Sequence, residues 1–295
     1  MMSKHRCIVF LTSAFLLVLL PACQNPVDST SSFQDDYLHV RASWSPDGRT
    51  IAFTSYVQNS TGIYVMDSLG GNIRQIYNGD GVGLSWSPDG KWLAFCQAGI
   101  LYKIKPTGDS LTILTDVAGA IRPTWSPNGA KIAFVQRSPG YGLWMYDVKS
   151  GAVSQFLMYG DFPSWNPLTG ELVALNAQFD QSSGYIYYTY FAADTATALV
   201  RAIGSFATAS DCGFSPISPA GNNIVIGVKR NDDYAEVWVY DLLQGRITQL
   251  TSDGGDYPSW SPDGTKIIYT RTQPGDGGLW VMNIDGSDKH RLTKP

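Results

Sequence analysis

The chain has 295 residues, 44% hydrophobic and 16% charged, with nine Trp and 16 Tyr, a composition that excludes a disordered chain and supplies a large core. Its formal charge of −4, with no basic cluster, excludes a phosphate-backbone binder, so nucleic acid is not an expected partner. A single apolar run, at the N-terminus, excludes a multi-span membrane protein.

Lys4-His5-Arg6 and the apolar run Cys7–Leu20 have the shape of a secretory signal and are too short for a comfortable spanning helix. The run ends in Leu20-Pro21-Ala22-Cys23, which resembles the lipobox of bacterial lipoproteins, although Pro21 departs from the usual small or β-branched residue. The resemblance implies cleavage after residue 22, a diacylglycerol on the Cys23 thiol, and a lipid-anchored, extracytoplasmic chain of the bacterial cell envelope. Gln24 next to it implies the periplasmic side of the outer membrane in a cell with two membranes. The alternative is an ordinary secreted chain in which Cys23 carries no lipid. Residues 23–35 are polar and rich in turn formers, as a flexible tether is. Cys96 and Cys212 lie in strand-like segments far apart in sequence; two separate buried thiols are expected over a disulfide.

From residue 36 onward one pattern repeats. Ser43-Trp44-Ser45-Pro46-Asp47-Gly48 returns at Ser85–Gly90, Thr124–Gly129 and Ser259–Gly264. Degenerate copies begin at Ser164-Trp165-Asn166-Pro167 and at Gly213-Phe214-Ser215-Pro216. With Phe214 as the fifth anchor, the six aromatic anchors lie about 43 residues apart, the period of a four-stranded propeller blade. Ser-Pro-Asp-Gly is a tight turn in which Pro presets φ, Asp bonds nearby backbone and Gly supplies a positive φ. It joins a short strand ending in Trp to a β-rich strand such as Ile51-Ala52-Phe53; a third strand ends in Asp67, Asp147 or Asp241, and a fourth closes the unit. Six such units predict an all-β, six-bladed β-propeller of four-stranded antiparallel blades over 36–295.

The succession of Trp-Ser-Pro-Asp-Gly, Ile-Ala-Phe, an aromatic strand ending in Asp, and Gln-Leu-Thr is similar to the repeats of TolB-type propellers, relatives of the WD repeat. TolB itself has an α/β domain ahead of its propeller, whereas only the tether precedes blade one here, so that domain's partners do not carry over. The last blade has its own fourth strand, so ring closure is expected to rest on packing between blades one and six, with help from residues 36–41.

Chemistry is harder to find. The three His are scattered at 5, 39 and 290, and no CxxC or HxxxH spacing predicts a metal site. No Gly-x-Ser-x-Gly elbow occurs. No cofactor and no catalytic residue is therefore expected, and the repeated Asp and Trp read as turn and core residues. One face of the disc carries the variable loops, where recognition usually sits on a rigid scaffold. On that side, just before the inner strands, stand Arg41, Arg122, Asp161, Asp211, Asp256 and Tyr257, the candidate binding residues at the mouth of the central channel. Tyr185–Tyr190 is dense in tyrosine; its alternate side chains are expected to face both sides of a sheet, with an aromatic contact patch as the alternative. The expected function is that of a monomeric, non-catalytic, lipid-anchored scaffold of the cell envelope that binds protein partners. The alternative is a carbohydrate-binding or oligosaccharide lyase-like propeller with a glycan ligand.

Overall fold

The computed structural model describes residues 39–57, 60–115, 119–138, 140–208, 212–213, 216–230, 234–273 and 275–293. The signal, the tether with Cys23, and Asp211 lie outside these residues. Blade 1 is formed by β1 (His39–Trp44), β2 (Thr50–Val57), β3 (Ser60–Asp67) and β4 (Arg74–Asn78). Blade 2 follows with β5 (Val82–Trp86), β6 (Leu93–Gln97), β7 (Ile100–Ile104) and β8 (Thr112–Thr115), and blade 3 with β9 (Ala120–Trp125), β10 (Lys131–Gln136), β11 (Gly142–Asp147) and β12 (Val153–Leu157). Blade 4 has long strands: β13 (Asp161–Trp165), β14 (Leu172–Asp180), β15 (Tyr185–Ala193) and β16 (Val200–Thr208). Blade 5 comprises β17 (Cys212–Gly213), β18 (Asn223–Arg230), β19 (Tyr234–Asp241) and β20 (Arg246–Gln249); blade 6 comprises β21 (Asp256–Trp260), β22 (Lys266–Arg271), β23 (Gly278–Asn283) and β24 (His290–Arg291). Each sheet takes its four strands in chain order, all antiparallel, giving the six-bladed propeller that the repeat predicts.

The core is six wedges, one between each pair of neighbouring blades. Between blades 1 and 2, for instance, Ile63, Val65 and Ile76 meet Trp86, Phe95 and Ile104. Between blades 6 and 1, Ile268 and Leu279 meet Ala42, Ile51, Phe53 and Met66. Blades 6 and 1 thus meet by side-chain packing, and among the described residues no strand crosses from one sheet into the next. The repeated Trp act as rivets. The indole N–H of Trp86 donates to Ser43 O at 3.0 Å, that of Trp165 to Thr124 O at 3.1 Å, and that of Trp260 to Pro216 O at 3.0 Å, each reaching into the preceding blade.

The turns explain the invariant spacing. Ser45 Oγ donates to Asp47 Oδ1 (2.6 Å) and accepts the Thr50 N–H (2.9 Å), while Asp47 Oδ1 also accepts the Arg49 N–H (3.1 Å). The same set recurs around Ser87–Asp89, Ser126–Asn128 and Ser261–Asp263. Asp67, Asp147 and Asp241 likewise accept N–H groups of their own turns.

Blade 5 corrects the sequence alignment. Its turn is Ser218-Pro219-Ala220-Gly221 rather than the copy that starts at Ser215: Gly221 has φ +70° and donates to Ser218 O, and Ser218 Oγ accepts the Asn223 N–H. The anchor is therefore Ile217, 7% exposed and bridged to Ile224 as Trp44 is to Ile51. Only the later Ser-Pro has a glycine in the fourth position, where the turn requires a left-handed residue.

Cys96 is a free, buried thiol, and burial raises its pKa. On β15, Tyr188 and Tyr190 are buried in the blade 4–5 wedge while Tyr185 and Tyr187 are exposed, so the tyrosines do alternate between the two sides.

The turn aspartates set an acid limit. Asp47, Asp89 and Asp263 are held below the usual carboxylate range, first by the Ser hydroxyl and then by backbone N–H groups. Asp109 is drawn down to about 2 by Ser110 and Thr107. A carboxyl with a depressed native pKa contributes stability above its unfolded value of about 3.9, and that contribution is lost as pH falls through the native value. Urea unfolding midpoints should accordingly drop between about pH 4 and 2. Asn128 already holds the same geometry in blade 3. Asp47→Asn and Asp89→Asn together should therefore keep the fold and flatten that drop; an unchanged pH profile would refute the assignment.

Candidate functional site

Antiparallel strands put the Ser-Pro-Asp-Gly turns on one face of the disc and the starts of the inner strands on the other. At those starts the ladder is broken in the same way in five blades. Pairing shifts between Val40 and Ser43, Val82 and Ser85, Ile121 and Thr124, Asp161 and Ser164, and Asp256 and Ser259. Each shift is a β-bulge, and its first extra residue is left-handed: Arg41 (φ +56°), Gly83 (+71°), Arg122 (+53°), Phe162 (+50°) and Tyr257 (+50°). All five stand three residues before the blade's anchor, and all five line one cavity of about 190 Å³ on the channel axis. Gly83 is required there by close approach, since a Cβ would lie 2.8 Å from Pro123 Cδ and 3.2 Å from Arg122 Cα.

The structure thus brings together three of the predicted residues, Arg41, Arg122 and Tyr257. Asp161 and Asp256, one position earlier, are not part of the lining. They stand behind it and hold the bulge: Asp161 Oδ1 accepts the Phe162 N–H at 2.8 Å, and Asp256 Oδ1 accepts the Tyr257 N–H at 2.7 Å. Asp161 is also ion-paired with Arg122. Asp256 packs against Gly227, where a Cβ would come within 2.4 Å of its Oδ1. Burial raises the Asp256 carboxyl pKa, against the pull of the Tyr257 N–H and the charges of Arg41 and Lys229. Of the five bulge residues, sequence reasoning missed Gly83 and Phe162, and Phe162 is the one with a side chain to offer. Its signal was its distance from Trp165, identical to that of Tyr257 from Trp260.

Two cation–aromatic couples result. The Arg122 guanidinium lies 3.8 Å from the Phe162 ring centroid, and that of Arg41 5.0 Å from the Tyr257 centroid. Around the ring, the two arginines come from blades 1 and 3 and the two aromatics from blades 4 and 6. Tyr56, beside this mouth, has its phenol pKa raised by burial and by its hydrogen bond to Asp80. Among the described residues, no three His, Cys, Asp or Glu side chains come together as a metal site.

Comparison with known proteins places the fold. Residues 33–169, which span blades 1–3 and enter blade 4, match the TolB beta propeller domain. An uncharacterized protein of Agrobacterium fabrum (strain C58) is 32% identical over 79 residues, and the match spans 26% of this chain and 26% of that protein. Among solved structures, a protein assigned as TolB in Agrobacterium tumefaciens is similar with a TM-score of 0.61 at 17% identity, over 75% of this chain and 84% of its own. Oligogalacturonate lyase in complex with manganese is similar with a TM-score of 0.59 at 13% identity, over 84% of this chain and 90% of its own. The chain is thus similar to TolB-type propellers in its repeats and in its fold.

Proposed function

We propose that this chain is a non-catalytic binding protein of the bacterial cell envelope, anchored through a lipid on Cys23, which engages a protein partner at the channel mouth. One observation carries the reading. Four bulges place a large side chain, Arg41, Arg122, Phe162 or Tyr257, in the left-handed conformation that favours glycine. Each such residue costs about 1–2 kcal/mol relative to the ordinary conformation, and strain of this kind clusters at binding sites. The likeness to TolB repeats and the signal-like N-terminus support an envelope location. The lyase-like alternative has behind it only a likeness of fold, at 13% identity.

The test uses affinity capture from envelope extract with the lipidated chain and with Arg41→Gly. The variant is expected to keep its stability within about 1 kcal/mol, because glycine relieves the strained φ while the cation–π contact is lost. A stoichiometric partner held by the parent chain and lost by the variant is the expected result. Selective binding to a glycan array without a protein partner would overturn the reading in favour of the carbohydrate ligand.

A further inference from the structure

The channel mouth is divided by chemistry as well as by blade. On the side of blades 1–3 its lining offers two guanidiniums, with Gly83, which has no side chain, on the blade between them; on the side of blades 4–6 it offers Phe162 and Tyr257. The described lining residues include two cations and no carboxylate, because Asp161 and Asp256 are turned into supporting roles behind it. Both guanidiniums are already stacked on a ring, and Arg122 is further fixed by Asp161. A planar fork held in place loses less freedom when it meets a carboxylate. Arg122 donates to Asp161 Oδ1 through Nη1, one end of its five-donor fork. The cavity of about 190 Å³ is smaller than the roughly 300–1,000 Å³ of drug-sized sites, which sets the ligand at fragment size.

We infer that the channel mouth is a specific site for a carboxylate carried next to a flat ring, the carboxylate facing Arg41 and Arg122 and the ring facing Phe162 and Tyr257. The inference deepens the reading of this face as a recognition site and rests on it. The same chemistry is presented by a small aromatic acid and by the free carboxyl end of a chain whose last residue is aromatic. For either, bidentate hydrogen bonding to a guanidinium supplies direction and the rings supply contact area. A neutral ligand of the same shape meets the rings but offers the guanidiniums no charge-assisted hydrogen bond.

The experiment is calorimetric titration of the full chain with 4-hydroxyphenylacetate and with the peptide Gly-Gly-Tyr. The matching neutral probes are 2-(4-hydroxyphenyl)ethanol and the peptide amide. At least one acid should bind at least roughly tenfold more tightly than its neutral counterpart, and which acid does so identifies the source. Binding should weaken with added salt and fall by roughly tenfold or more in Arg41→Gln. Arg122→Lys, which keeps the charge beside Asp161 but not the fork, should fold and still lose most of the affinity. Equal binding of acid and neutral probes, no binding of either acid at low-millimolar concentration, or affinity that survives both substitutions would overturn the inference. If the chain captures an envelope partner through Arg41 yet shows no preference for acids, this inference falls and the binding reading stands.

Discussion

Alanine at Trp86 is expected to lower the unfolding free energy by about 3–5 kcal/mol, read as a fall in the urea midpoint. Trp86 is 8% exposed and fills the wedge between blades 1 and 2, so its removal leaves a cavity bounded by two rigid sheets. The indole N–H adds a smaller part. Trp86→Phe, which keeps most of the volume but loses the bond to Ser43 O, should cost about 1–2 kcal/mol. Trp44 and Trp125 provide the contrast, because their Nε1 atoms are buried without a hydrogen-bond partner. Removing an unsatisfied donor is close to neutral or stabilising, so Trp44→Phe and Trp125→Phe should cost less than Trp86→Phe. Equal losses at all three positions would show that ring volume alone matters and that the cross-blade bonds contribute nothing.

The second large effect is expected at the seam where the ring closes. Phe53 is fully buried, stacks on Tyr64 with centroids 5.7 Å apart, and meets blade 6 through the cluster that includes Ile268 and Leu279. Phe53→Ala should cost about 3–5 kcal/mol, as should Phe95→Ala between blades 1 and 2. The two differ in where the damage spreads. Blades 1 and 2 are joined by the chain through residues 79–81, whereas blades 6 and 1 are joined, among the described residues, by packing and not by a shared sheet. Amide hydrogen exchange in Phe53→Ala should therefore accelerate first in β1–β4 and β21–β24 and leave blades 3 and 4 near their parent rates. Uniform acceleration across the six blades would mean that the ring opens as one unit and that the seam is no weaker than any other wedge.

Most of the architecture was legible because four blades repeat a turn whose four residues are each needed for a separate reason. Where one of those reasons was duplicated, the reading slipped. Ser215-Pro216 and Ser218-Pro219 both offer the first half of the turn, and Phe214 offered a false aromatic anchor, while Ile217 does the packing. The deciding residue was Gly221, three places after Ser218. The site was legible in part. Arg41, Arg122 and Tyr257 drew attention by their chemistry and proved to line the channel, but Asp161 and Asp256 drew attention for the same reason and proved to be supports. Sequence chemistry marks both kinds of residue; only the backbone shows which of two adjacent positions faces the axis. The bulge that decides it has no composition of its own, since its left-handed position holds Arg, Gly, Phe or Tyr.

That indifference to residue type has a consequence for how such a protein changes over generations. The conformation that aims residues 41, 83, 122, 162 and 257 at the axis is imposed by the ladder on either side, while the buried cores of the six wedges are built from other residues, Phe162 alone of the five packing against one of them. A single codon at position 41, 122 or 257, where no close approach demands glycine, can therefore rewrite what the mouth selects without passing through an unfolded intermediate. The propeller works as a keyring with its cuts on one circle, and a lineage, or a designer, can recut them one at a time while the metal stays intact.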